Sequence, residues 1–109
     1  KGETLMMLAT VDYLPGKDYD ILGIARGNVS YCKHIGRDIM ASFKNIAGGE
    51  IKSYTDLLKE AREIAENRMM EEAHQLGADG VIGIRFMGDT LAEGTIEVIC
   101  YGTAIKFKN

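Results

Sequence analysis

The side chains that could do chemistry are few, and Cys32-x-His34 is the only local pair of soft ligands. Two positions apart on a strand, both side chains point to one face. Thiolate and imidazole suit a soft divalent metal, but a complete site takes about four ligands. The others would come from elsewhere, and a homo-oligomer could supply them by repeating the pair in each subunit. The competing expectation is that Cys32 packs as a small apolar residue and His34 is exposed at a helix start. Arg37-Asp38 follows closely. Asp38 suits the first turn of a helix, where the dipole favours an acid. Arg37 is placed either to pair with a carboxylate or to hold an anion at the rim of an inter-subunit pocket.

Other chemistry finds little support. Cys100 lies between Ile99 and Tyr101 and shares a strand face with Ile96 and Val98, which predicts a buried, inert thiol. His74 falls near the end of a helix, where side chains meet solvent, and is assigned no ligand role. Glu60, Glu63, Glu66, Glu71 and Glu72 have the spacing of a solvated charged face. Nothing local supports a Cys–His dyad of Cys32 or Cys100 with His34. Gly48-Gly49 follows a helix rather than preceding one, and Gly77-Ala78-Asp79-Gly80 reads as a helix-to-strand turn. Neither cradles a phosphate, and no dinucleotide fingerprint is present. The chain is expected not to be an enzyme.

These residues must be positioned by a small set of elements. Residues 5–11 read as a short strand, Leu14-Pro15-Gly16 as a turn, and Tyr19 to Tyr31 as a long extended stretch. From Ile35 to Ala47 the apolar residues recur at helical spacing, and Gly48-Gly49 ends that helix. A second helix starts at Ser53, with Asp56 completing an acidic capping box, and stops at Gly77. Its buried stripe is Leu57, Leu58, Ala61, Ile64, Ala65, Met69, Ala73 and Leu76. Arg62–Glu66 and Arg68–Glu72 are expected as i,i+4 ion pairs on its wet face. Residues 81–86 form a strand, Gly88-Asp89-Thr90 a turn region, and 94–106 the last strand. The fold class is α+β: a small antiparallel sheet on two helices, in β-β-α-α-β-β order, as one domain over residues 1–109.

Both faces of the strands are apolar. In the last strand Ile96, Val98, Cys100 and Ala104 face one way, and Ile99, Tyr101, Ile105 and Phe107 the other. In the long second strand Ile21, Ala25 and Val29 oppose Leu22 and Ile24. A sheet covered on one side alternates apolar with polar residues, so a second covering surface is expected. Burial between subunits would return roughly 1.5–3 kcal/mol for each large aliphatic side chain.

The remaining bounds are broad. Hydrophobic residues at 46% and charged residues at 27% exclude a disordered chain. A net charge of −3 with scattered lysines and arginines argues against nucleic acid as a partner. No apolar run approaches the ~20 residues of a membrane span, so no membrane partner is expected. Two cysteines and no signal-peptide pattern predict free thiols and a cytoplasmic protein.

Several stretches resemble one family in collinear order. They are Asp18-Tyr19, Gly23, Arg37-Asp38, Gly48-Gly49, Tyr54, Leu58-x-x-Ala61-Arg62-Glu63-Ile64-Ala65, Leu76-Gly77-Ala78-Asp79-Gly80-Val81-Ile82-Gly83-Ile84 and Gly102-Thr103-Ala104. Together, over about residues 5–107, they resemble the YbjQ-like proteins, a family labelled as heavy-metal-binding. The resemblance implies a dodecin-like subunit in a pentameric ring, with rings sometimes stacked in pairs. The expectation is a non-enzymatic homo-oligomeric binding protein for a metal ion or small ligand at subunit interfaces. A structural or partner-binding ring without ligand is the alternative, and an enzyme with a site shared between subunits stands third.

Overall fold

The computed structural model describes residues 5–31, 52–92 and 95–108. Within these, the chain forms β1 (Met7–Leu8), β2 (Tyr19–Tyr31), α1 (Lys52–Gln75), β3 (Gly80–Ala92) and β4 (Thr95–Phe107). The four strands make one sheet in the order β1-β3-β4-β2. The fold is α+β, with one helix among the described residues rather than the expected two. The helix expected over 35–47 lies outside them.

The sheet is mixed, which corrects the expectation of an antiparallel one. β2 and β3 both pair antiparallel to β4, but β1 pairs parallel to β3. A short turn forces neighbouring strands to be antiparallel, and β1 is not followed by one. Instead residues 9–18 carry the chain from one edge of the sheet to the other. Backbone bonds from Met7 N to Asp79 O (3.1 Å), Ala9 N to Val81 O (3.0 Å) and Gly83 N to Val11 O (2.7 Å) extend the β1 contact beyond its two paired residues.

α1 is helical because an i,i+4 row of small or flexible apolar residues can be buried along its length. Leu57, Ala61, Ala65, Met69 and Ala73 are buried; Leu58 and Ile64 are half-buried, and Leu76 is exposed. The helix starts one residue before the expected cap, so Ser53 lies inside its first turn. Gly77, with φ +85°, ends it as expected. Ala78 N donates to Ala73 O (3.1 Å) and Gly77 N to His74 O (2.9 Å), the paired bonds of a glycine-terminated helix.

The stripe packs on β2 and β4, against Ala25, Val29, Val98, Cys100 and Ala104. Helix and strand come closest at Gly27, where an added Cβ would overlap the Ala65 carbonyl oxygen and the Met69 backbone nitrogen. Arg68 and Glu72 do not pair with each other, as the helical spacing suggested. The Arg68 guanidinium donates to Asn28 O (2.8 Å), and Glu72 accepts from Arg26 N (2.8 Å). Because β2 is an edge strand, its outward backbone groups are free to take these partners.

Two strand features also differ from the sequence reading. The register slips between Ile21 and Gly23, so Leu22 is an extra residue in β2. That bulge turns Ile21 to the face opposite Ala25 and Val29, where it opposes Ile105. Residues 88–90 are strand rather than turn: Gly88, Asp89 and Thr90 pair with Val98, Glu97 and Ile96, and the reversal falls between Ala92 and Thr95.

Candidate functional site

Cys32, His34, Arg37 and Asp38 all lie outside the described residues, so the structure places none of them. Three other places carry the chemistry that the described residues offer.

The first lies under α1. Cys100 is fully buried, as expected, and its Sγ donates to Met69 Sδ at 3.4 Å. Its antiparallel neighbours are Gly27 and Phe86. Burial pushes the Cys100 thiol up to about 11, and the nearby Glu66 carboxylate adds to the rise. The neutral thiol is therefore the form held at physiological pH, which suits a packing role and opposes one as nucleophile.

The second is an open groove of about 770 Å³ between α1 and the segment leading into β1. Met6, Asn67, Arg68, Met70, Glu71 and His74 are among the residues that line it. A smaller depression of about 210 Å³ continues it past the end of α1, lined by Met6, His74 and Asp79. The Met7 N to Asp79 O bond pins the strand entry against the helix end and so fixes Met6 beside His74. Asp79 also accepts from Phe107 N (2.9 Å) and faces Lys106 Nζ at 3.9 Å. These bonds hold the turn after α1 against the end of β4.

The third is the sheet face turned away from α1. At one end residues 9–18 cross it: Arg85 donates to Thr10 O (3.0 Å) and Asp12 Oδ1 (3.3 Å), and Lys17 Nζ lies 6.0 Å from the Phe107 ring centre. Ile82 and Ile105, which share this face, are buried apart from the main core. Beyond the crossing no described element covers the face. Ile21 is 70% exposed, Ile24 60%, Met87 57% and Tyr101 37%. Phe86 is likewise exposed on the α1 side, where the helix covers β2 and β4 but scarcely reaches β3.

Among the described residues no three His, Cys, Asp or Glu side chains are grouped to hold a metal. No described helix is long and apolar enough to cross a membrane. The sequence reading found Cys100 and the exposed His74 but missed the groove beside His74. The i,i+4 spacing of Met70 and His74 was visible in the sequence; the arrival of Met6 depends on the parallel pairing of β1, which was not.

Relatives match nearly the whole chain in sequence. A UPF0145 protein of Helicobacter hepaticus is 54% identical over 101 residues, covering 93% of this chain and 97% of that protein. One of Thermotoga maritima is 52% identical over 104 residues, covering 94% and 98%. The fold is also similar to the crystal structure of a Pediococcus pentosaceus protein of unknown function from the DUF74 family. That match has a TM-score of 0.66 at 19% identity and covers 94% of this chain and 98% of the other. Residues 6–108 match the model of the YbjQ family, described as "Putative heavy-metal-binding", and the chain belongs to that family.

Proposed function

We propose that this chain is a non-enzymatic, cytoplasmic subunit of a homo-oligomer, a pentameric ring of dodecin type, that holds a metal ion or small ligand where subunits meet. One observation carries the assembly: Ile21, Ile24, Met87 and Tyr101 stand uncovered on one sheet face. Large apolar side chains grouped this way mark an interaction surface. A second copy is the occupant that needs no further partner. The ligand half of the reading draws on the family description and on Cys32 and His34, with Arg37 and Asp38 as a polar rim.

Native mass measurement tests the assembly. The expected mass is a multiple of the 12.0 kDa chain, five in a single ring. Replacing Ile24 and Met87 together by lysine is expected to release folded monomers with unchanged helical circular dichroism. A wild-type monomer at micromolar concentration would contradict the reading. Rings that carry and bind no metal or small molecule would leave the assembly and remove the ligand.

A further inference from the structure

We propose that the groove at the end of α1 is a binding site for a soft monovalent cation of the Cu(I) class, with Met6, Met70 and His74 as its ligands. The proposal goes beyond the reading above: it adds a metal site within one subunit, separate from Cys32 and His34.

Met70 and His74 are four residues apart on α1, which sets their side chains on one helix face about 5–6 Å apart at Cβ. Met6 faces them from the segment before β1 and lines both depressions together with His74. Two thioethers and an imidazole are soft, uncharged donors, and thioethers select Cu(I) over hard or borderline divalent ions. No described group of three His, Cys, Asp or Glu competes for a divalent ion. The electrostatics also favour a cation. His74 stands in the last turn of α1, where the helix dipole is negative, and Glu71 lines the same groove. Among the described residues that line the groove the one positive charge is Arg68, whose guanidinium donates to Asn28 O on β2.

Silver(I) is the probe, being soft, monovalent and redox-inert, in chloride-free buffer. Cysteine thiolates would compete, so dialysis uses a Cys32→Ser/Cys100→Ser chain beside wild type. The expected result is one silver ion per chain in the cysteine-free protein and at least one in wild type. Met6→Leu/Met70→Leu, which keeps the volume of both side chains, is expected to weaken that binding by more than about tenfold. His74→Gln is expected to weaken it as well. A methyl-labelled wild-type chain needs no substitution: of the six methionine methyl signals, those of Met6 and Met70 should shift and the other four stay. Silver that disappears in the cysteine-free chain would place the metal at the thiols, overturning this site while leaving the Cys32/His34 reading intact. No binding in either chain would overturn both. Binding unaffected by the leucine pair, or shifts confined to other methionines, would overturn the groove alone.

Discussion

Beneath α1 the sheet presents Ala25, Gly27 and Cys100 to Ala61, Ala65 and Met69, and water reaches none of them. On the opposite face of the same two strands stand Ile21, Ile24 and Tyr101, with water on all three. The covered face uses small residues so that two backbones can approach closely, and it leaves no room for change. Around Gly27 the exposed face carries more apolar bulk than the covered one directly behind it. Side-chain size therefore does not report burial here; what reports it is whether another element fits. α1 fits one face, and the strap of residues 9–18 fits only one end of the other.

Gly27→Val breaks the comparison most severely. Its side chain would enter the space of the Ala65 carbonyl and the Met69 nitrogen, which are backbone atoms and cannot swing aside. We expect a loss of about 3 kcal/mol in urea unfolding, at the upper end for overpacking.

Next comes the pH dependence at Cys100. Its thiol titrates near 9 in the unfolded chain and at about 11 when folded. The unfolded state therefore loses its proton first, and stability falls as pH rises through this window. Below pH 9 the full contribution is present. The loss should approach about 2–3 kcal/mol by pH 11 relative to Cys100→Ala, which lacks that slope. Equal slopes in the two proteins would mean that the thiol is not shielded by α1.

The smallest effect is expected at the rim. Glu72→Ala removes the acceptor for Arg26 N, but both side chains of this pair are part-exposed and screened. A cost of about 1 kcal/mol or less is expected, with faster exchange of the Arg26 amide as its specific signature.

Much of the covered face was legible in the sequence. Helical spacing located the stripe from Leu57 to Ala73, Gly77 marked its end, and Tyr19 to Tyr31 proved to be one strand. These features depend on neighbours in the chain. What the sequence hid depends on distant partners. The bulge at Leu22 reverses the side on which Ile21 stands, and no local pattern announces a one-residue slip. The parallel pairing of β1 is set by where the strap lands, and with it the position of Met6. Arg68 and Glu72 sit at good ion-pair spacing but meet better partners on β2. The sequence-derived site of Cys32, His34, Arg37 and Asp38 lies outside the described residues, while the groove was hidden because methionine is ordinarily read as core.

The bonds from Arg68 and Glu72 to β2 also limit what the protein can become when crowded. An edge strand with unmet backbone groups invites any passing strand, including one from a misfolded neighbour. At Arg26 and Asn28 those groups are already engaged by the protein's own helix. Edge-to-edge growth into fibres is obstructed there before it can begin, so a chain with bare apolar faces is left to associate through those faces.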